Sequence, residues 1–349
     1  METIVADIAQ RLPPLFNTTS AVYTIVASGT GAMEAAVANT FSRGETVLVV
    51  SNGYFGERFA SIARAYGLQV VEVASEWGTS VDASAVAQAY AEHPNIAGVL
   101  VVHSETSTGA LNDLQAIGAL FADTEVVVVV DAISGLISHE LDMDGWSLDI
   151  VLAASHKGFM LPPGLAFVAI SDKAWAKVDT VEATAYYWSF ARLRHFHPMP
   201  PSSPAVSLVF ALHESLTMLE QEGLSAIQAR QREIGDATLA ALTAIGFRPF
   251  VTPPHQRNYV VTAVLAPDGV NASSLVTRLE SEFGITMTGG QGEFAGSLMR
   301  VGHVGSVDRL DVVSIVAGIE LSLAGLGHEV ELGRATATLL AQFAAGASA

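Results

Sequence analysis

The chain has 349 residues, half of them apolar, which is enough for a large core and for more than one compact domain. With 35 acidic and 17 basic residues its formal net charge is −18, so nucleic acids and anionic membrane surfaces would be repelled and a small-molecule partner is expected. No cysteine occurs, which excludes disulfides, thiolate metal sites and a cysteine nucleophile.

The N-terminal segment METIVADIAQRL carries Glu2, Asp7 and Arg11, so it lacks the uninterrupted apolar stretch of a secretory signal. No apolar run elsewhere is long enough to cross a bilayer. We therefore expect a cytoplasmic protein without a membrane partner.

Up to about Ser171, short β-branched runs alternate with segments of helical spacing. The runs are VYTIVAS, ETVLVVSNG, LQVVEVAS, IAGVLVVHSE, EVVVVVDA, DIVLAASHK and LAFVAIS. Residues 126–130 show no polar alternation, which is typical of a strand covered on both faces by helices. Segments such as GAMEAAVANTFSRG, FGERFASIARAYG and LQAIGALFAD have helical spacing, and most end near a glycine. This pattern predicts an α/β core of six or seven strands.

Beyond Ser171 the pattern changes. A loop-rich stretch, AYYWSFARLRHFHPMPPSSP, precedes the long helical segment AVSLVFALHESLTMLEQEG, for which Gly223 is a stop signal. Helices are then predicted at QREIGDATLAALTAIG, SSLVTRLESEFG and VVSIVAGIELSLAGLG, with strands at NYVVTAVLAP and SLMRVGHV. We predict a large domain at residues 1–222 and a small α+β domain at 223–349, whose alanine-rich tail after Gly333 is a final helix or a frayed end.

Ligands of an open parallel sheet bind outside the carboxyl ends of its strands. After the first predicted strand, the sequence Ser28, Gly29, Thr30, Gly31, Ala32 leads directly into a helix. Small residues let backbone N–H groups close on an anion, and a helix N-terminus favours negative charge, so a phosphate can bind here. An ordinary tight turn with an N-cap is the alternative interpretation.

Asp131 and Lys157 follow two other predicted strands. A carboxylate at the end of an apolar strand is costly to bury without a cation or donor, and a protonated pyridine nitrogen is one such partner. The alternative for Asp131 is an N-cap. Lys157 lies beside apolar Phe159 and Met160, so partial desolvation would lower its pKa and support Schiff-base chemistry. The alternative is a solvated surface lysine. The string HSETSTG, residues 103–109, either orients a ligand group or forms a capped polar loop.

Six motifs, in chain order, resemble those of a known family: SGTGAMEAAVAN, SNGYFGER, HSETSTGALNDL, VDAISG, SHKGFMLPPG and GGQGEFAGSLMRVGHVG. Together they resemble the fold-type-I pyridoxal-phosphate enzymes, and specifically the class V aminotransferases typified by alanine–glyoxylate and serine–pyruvate aminotransferases. The resemblance spans nearly the whole chain. It implies a seven-stranded, mostly parallel sheet with helices on both faces, a smaller C-terminal α+β domain, and a homodimer with shared active sites.

The resemblance also implies a role for individual residues around pyridoxal 5′-phosphate. For the phosphate, it implies binding by the turn at Thr30, Gly31 and Ala32, contact by His156, and a hydroxyl from Ser203 that reaches the phosphate of the neighbouring subunit. For the ring, it implies stacking by Phe55, apolar contact underneath by Ile133, a hydroxyl near the ring oxygen from Thr106 and pairing of Asp131 with the pyridinium. Lys157 would form the Schiff base, and Arg300 would bind the substrate carboxylate.

The implied activity is transfer of an amino group from a small amino acid, alanine or serine, to glyoxylate or pyruvate. A pyridoxamine–pyruvate type transaminase or a lyase on the same fold is the alternative, whereas sulfur removal from cysteine would need a catalytic cysteine that this chain lacks. Relatives carry an N-terminal Gly-Pro-Gly type turn that lines the substrate pocket, and the match here starts downstream of it. Either the chain is truncated or another element lines that wall.

Overall fold

A computed structural model describes residues 1–182 and 184–346. Its main sheet has seven strands in the order β1-β9-β8-β7-β4-β2-β3. The strands of the chain are β1 (Val22–Ala27), β2 (Thr46–Ser51), β3 (Gln69–Ala74), β4 (Ile96–Val102), β5 (Ser104–Glu105), β6 (Ala110–Leu111), β7 (Val127–Asp131), β8 (Ile150–Ala154), β9 (Gly164–Ile170), β10 (Arg248–Pro249), β11 (Val261–Leu265), β12 (Thr288–Gly289) and β13 (Leu298–Gly302).

The helices surround this sheet and a second, smaller one. They are α1 (Glu2–Arg11), α2 (Gly29–Thr40), α3 (Tyr54–Ala65), α4 (Ala83–Glu92), α5 (Leu114–Ala119), α6 (Asp172–Val178), α7 (Phe190–Phe196), α8 (Val206–Glu222), α9 (Leu224–Ala244), α10 (Ala272–Phe283), α11 (Arg309–Gly325) and α12 (Arg334–Gly346). In the described part of the chain, no helix combines the length and the hydrophobicity needed to cross a membrane.

Strand direction brings the chemistry-bearing residues to one edge of the main sheet. The strands β8, β7, β4, β2 and β3 are mutually parallel, β9 is antiparallel to β8, and β1 is antiparallel to β9. The carboxyl end of β1 therefore lies at the same edge as those of the parallel strands. All seven predicted strands are present, which confirms the predicted fold class.

Both faces of the main sheet are buried. Val128 and Val130 belong to a core that also includes residues of α1, α4, α5 and α8, while Val127 and Val129 belong to one shared with α2, α3, α6 and α7. Two helix layers therefore cover the sheet, and this is why the run at residues 126–130 needs no polar alternation.

The C-terminal part contains an antiparallel sheet of order β10-β11-β13-β12 and its own core. Gly223, with φ of 82°, separates α8 from α9, so the predicted boundary between residues 222 and 223 lies between two helices and stays a prediction. Helix α9 begins seven residues before the predicted segment. The alanine-rich tail forms α12, whose Leu339 and Phe343 join that core, and residues 347–349 of the predicted tail lie outside the described residues.

Candidate active site

A cleft with about 530 Å³ of empty space lies at the carboxyl edge of the main sheet. Eight of the residues singled out from the sequence line it. The lining consists of Ser28, Gly29, Thr30, Met33, Phe55, Arg58, Val102, Ser104, Asp131, Ile133, Ser134, His156 and Lys157. The fold thus joins turns that are far apart in the sequence, because β1, β4, β7 and β8 end at the same edge.

The turn between β1 and α2 forms one end of the cleft. Ser28 is the N-cap of α2, and its Oγ accepts a hydrogen bond from the N–H of Gly31 at 3.3 Å. A Cβ on Gly29 would lie 2.6 Å from Cδ1 of Ile133, so a larger residue here would displace the Ile133 side chain. Gly31 and Ala32 are buried in the first turn of α2 and do not line the cleft. Ser28 therefore acts as the helix N-cap, and the N-terminus of α2 faces the cleft.

Asp131 is the last residue of β7 and is only 4 % exposed. The residues after it form turns rather than an α-helix, so it is not a helix N-cap; its Oδ1 instead accepts a hydrogen bond from the N–H of Ile133 at 2.9 Å. The pKa of Asp131 is raised to about 7, first of all by burial and also by the charge of Glu105, while the Ile133 N–H and the cations of Arg58 and Lys157 act against this shift.

Lys157 follows β8 and is half-buried in the cleft. The sequence has three lysines, and the other two are paired: Lys173 with Asp149 and Lys177 with Glu45. Nζ of Lys157 forms no hydrogen bond or salt bridge with any residue that the structure describes, although the backbone carbonyl of Lys157 accepts from the N–H of Met160. Burial lowers the pKa of its amine, the charge of Asp131 raises it, and that of Arg300 lowers it. The surroundings therefore favour a reactive amine over a solvated surface lysine.

Phe55 and Ile133 supply apolar walls of the cleft. Phe55 lies in the first turn of α3, where its N–H and that of Gly56 donate to Oε2 of Glu105 at 3.0 and 3.1 Å. Glu105 is fully buried, and its other oxygen accepts from the N–H and the hydroxyl of Ser107. The start of the helix that carries Phe55 is thus fixed by a buried carboxylate from the HSETSTG string.

Arg300 lies on β13 of the second sheet and is buried, but it does not line the cleft. Its Nη1 donates to the carbonyl of Thr106 at 2.7 Å, and its Nε and Nη2 donate to the carbonyl of Gly289 at 3.1 and 2.9 Å. These bonds fix the guanidinium between the loop after β5 and strand β12. Burial lowers the pKa of Arg300, and the nearby charge of Glu105 acts in the opposite direction.

Two further predicted residues are outside the cleft. Thr106 is buried and its carbonyl is engaged by Arg300. Ser104, which the sequence interpretation did not single out, lines the cleft instead. Ser203 is exposed in the loop before α8. Their roles toward a cofactor stay predictions.

The aminotransferase class-V family model matches residues 1–311. The chain belongs to the class V aminotransferases. A curated relative from Methylorubrum extorquens, serine–glyoxylate aminotransferase, is 31 % identical over 332 residues, which cover 92 % of this chain and 83 % of that protein. This aminotransferase is also 37 % identical, over 331 residues, to the soluble hydrogenase 42 kDa subunit of Anabaena cylindrica, with 93 % of this chain and 86 % of the relative covered.

A solved structure supports the same membership. The crystal structure of pyridoxamine–pyruvate aminotransferase from Mesorhizobium loti superimposes with a TM-score of 0.93 at 25 % identity, covering 99 % of this aminotransferase and 90 % of that chain. The predicted family and fold are therefore confirmed.

Glu105 and Arg58 are two charged residues of this aminotransferase that the sequence interpretation did not assign. Glu105 is part of HSETSTG, and Arg58 is part of SNGYFGER. The available signals were an acid within a polar string and an arginine three residues after Phe55. Neither signal identifies a contact, because each residue acts across two elements that are distant in sequence.

The raised pKa of Asp131 predicts a pH-dependent stability for the cofactor-free aminotransferase. The folded protein keeps a proton on this carboxyl that the unfolded chain has released, so the stabilisation is complete below the unfolded pKa of 3.8 and is lost as the pH rises through about 7. Asp131→Asn stays neutral and keeps the oxygen that accepts from Ile133. We expect it to raise the Tm by a few degrees at about pH 8 and by less at about pH 5.

Thermal unfolding of the cofactor-free protein at both pH values measures this effect. Asp268→Asn is the control, because Asp268 is exposed. An equal Tm change for Asp131→Asn at both pH values would contradict the burial argument.

Proposed function

We propose that this class V aminotransferase binds pyridoxal 5′-phosphate in the cleft, holds it covalently through Nζ of Lys157, and transfers an amino group between a small amino acid and a small 2-oxo acid. The observation that carries the proposal is the pair formed by Lys157 and Asp131. An amine that forms no salt bridge within residues 1–182 and 184–346 and a buried carboxylate line one cleft at the carboxyl edge of the sheet.

Several features fit this cofactor. Asp131 uses Oδ1 for the N–H of Ile133, and its Oδ2 forms no hydrogen bond with any described residue, so it can accept from a protonated ring nitrogen. Nδ1 of His156 is buried without a partner among the described residues and can contact a phosphate oxygen. The N-terminus of α2, at Ser28, Gly29 and Thr30, favours an anion.

The residues of the chain then have separate tasks. When bound, the cofactor supplies an electron sink for negative charge that develops at the substrate Cα. Asp131 keeps a proton on the ring nitrogen by remaining its charged partner. Lys157 would move a proton between the substrate Cα and C4′ of the cofactor, and its lowered pKa supports the neutral amine that this task needs. Phe55 and Ile133 offer apolar surfaces to the two faces of a flat ring.

For the substrates, we propose alanine or serine as donor and glyoxylate or pyruvate as acceptor. The serine–glyoxylate relative supports this choice. Pyridoxamine as donor is the second candidate, and it is favoured by the close superposition with the Mesorhizobium loti structure. A lyase on the same fold would release its product without passing an amino group to an oxo acid.

A donor and acceptor screen under single-turnover conditions tests the proposed function. Alanine, serine or pyridoxamine is mixed with the loaded protein, the visible absorbance of the cofactor is followed, and glyoxylate or pyruvate is then added. We expect an amino acid donor to bleach the absorbance and an oxo acid to restore it. Bleaching without recovery would favour the lyase alternative, and no response to any donor would contradict the proposal.

Arg300 is proposed to bind the substrate carboxylate, because a fixed guanidinium can offer two parallel donors. Three of its N–H groups are engaged by carbonyls, which leaves two of the five for a ligand. We expect Arg300→Ala to raise KM for both amino and oxo acids by about 10- to 100-fold.

The matched control is Arg248→Ala, an exposed arginine of the same small sheet that pairs only with exposed Asp268. Steady-state kinetics on both variants should show a change in KM for Arg300→Ala alone. An unchanged KM in that variant would remove Arg300 from the substrate site.

The name of the Anabaena relative denotes a hydrogenase subunit, and the residues of this chain do not favour such a role here. The chain has no cysteine to ligate an iron–sulfur or metal cluster. In residues 1–182 and 184–346, no group of three His, Asp or Glu side chains is arranged to hold a metal ion.

We also propose a homodimer in which Ser203 reaches the phosphate site of a second copy. Its exposure and its position outside the cleft of its own chain support this arrangement. A cytoplasmic location likewise remains a proposal from the sequence.

A further inference from the structure

Arg58 lies on α3 one turn after Phe55 and lines the cleft. Its Nη1 donates to Oγ1 of Thr30 at 2.8 Å, and Thr30 belongs to the turn at the start of α2. Its guanidinium carbon lies 4.8 Å from the ring centroid of Phe55 and 5.0 Å from that of Tyr54. The Arg58 side chain therefore links the turn at the start of α2 to the aromatic rings of Tyr54 and Phe55.

Arg58 forms no salt bridge among the described residues, whereas Arg64, two turns further along α3, pairs with Glu72. The acid on which the charge of Arg58 acts is Asp131 of the same cleft, whose pKa it lowers. A half-buried arginine that forms no salt bridge with the described acids is unexpected in a protein with a net charge of −18. Its position at the cleft indicates that its charge serves an anionic ligand.

The other basic residues of the cleft cannot fully balance a phosphate ester, which carries a charge of about −1.5 to −2 at neutral pH. Burial and the charge of Lys157 lower the pKa of His156, which disfavours a positive charge on its ring. Lys157 is engaged by the proposed covalent attachment. The positive end of α2 supplies only about half a charge. Arg58 is the remaining full cation among the lining residues.

We propose that Arg58, which contacts the Thr30 hydroxyl and the Phe55 ring, is a further cofactor-binding residue of this aminotransferase and neutralises the phosphate group. The inference rests on the proposed function and extends it to a residue outside the motif roles considered above. Binding of the phosphate group of the cofactor, and not of its pyridine ring, would therefore depend on Arg58.

The test compares the binding of pyridoxal 5′-phosphate and of pyridoxal, which lacks the phosphate, to cofactor-free protein by absorbance titration. We expect Arg58→Met to weaken binding of the phosphorylated compound by about 10- to 100-fold and binding of pyridoxal by less than about 2-fold. Arg58→Lys keeps a point charge and should retain part of the preference for the phosphorylated compound. Arg64→Met, on the exposed part of the same helix, should change neither affinity.

A second measurement uses inorganic phosphate alone. We expect phosphate to raise the Tm of the cofactor-free wild type and to have a much smaller effect on Arg58→Met, provided that far-UV circular dichroism shows both to be folded. An equal loss of affinity for both compounds would mean that Arg58 only supports the Phe55 ring, and unchanged affinities would mean that it has no role; either result overturns the inference. A wild-type protein that binds neither compound would instead contradict the proposed function itself.

Discussion

Replacing Lys157 with alanine is expected to lower the turnover number by at least about 10²- to 10⁴-fold, the range attributed to a positioned general acid–base. The loss should be larger than for any other single substitution, because the same amine is proposed both to hold the cofactor and to move the proton at Cα. Binding of the cofactor should become reversible, since the turn at the start of α2 and Asp131 would still bind it without a covalent bond. Stopped-flow transamination and gel filtration of the loaded variant measure the two effects.

Lys177→Ala is the matched control for this prediction. Lys177 pairs with Glu45 away from the cleft, so its loss should leave turnover unchanged. A Lys157→Ala variant that keeps wild-type turnover would remove this residue from the chemistry.

Asp131→Asn is expected to retain the cofactor and to lower turnover by about 10²- to 10³-fold, the size expected for loss of one preorganised electrostatic group. Asparagine preserves the shape and the acceptor for the Ile133 N–H, but it cannot balance a protonated ring nitrogen. The electron sink is then weaker although the cleft is intact. The measurement is the rate of the donor half-reaction with saturating cofactor.

The Asp131→Asn result separates the pyridinium role from a structural one. A variant with the same cofactor content and wild-type turnover would refute that role. Asp268→Asn serves again as the exposed control, and its turnover should equal that of the wild type.

The fold was predictable from the sequence because the inner strands of the main sheet are short apolar runs that both helix layers cover, and because such runs end at polar residues. The same local pattern located Asp131 and Lys157, which follow β7 and β8 directly. The parallel topology then brings both to one edge of the sheet.

Contacts between elements that are distant in the sequence were not predictable from its hydrophobic pattern. Arg300 is fixed by the carbonyls of Thr106 and Gly289, which belong to different parts of the chain. Glu105 acts on the first turn of α3, some fifty residues earlier in the sequence. Such contacts depend on how the two sheets and their loops pack, and local hydrophobic spacing carries no information about that packing.

The most direct test of the central claim is chemical trapping on the purified protein incubated with pyridoxal 5′-phosphate. Sodium borohydride reduces a lysine–cofactor linkage to a stable amine, and peptide mass spectrometry then locates the added mass. We predict a yellow protein whose label is on the peptide that contains Lys157, with no label on Lys173 or Lys177. A protein that gains no visible absorbance, or a label on another lysine alone, would contradict the account.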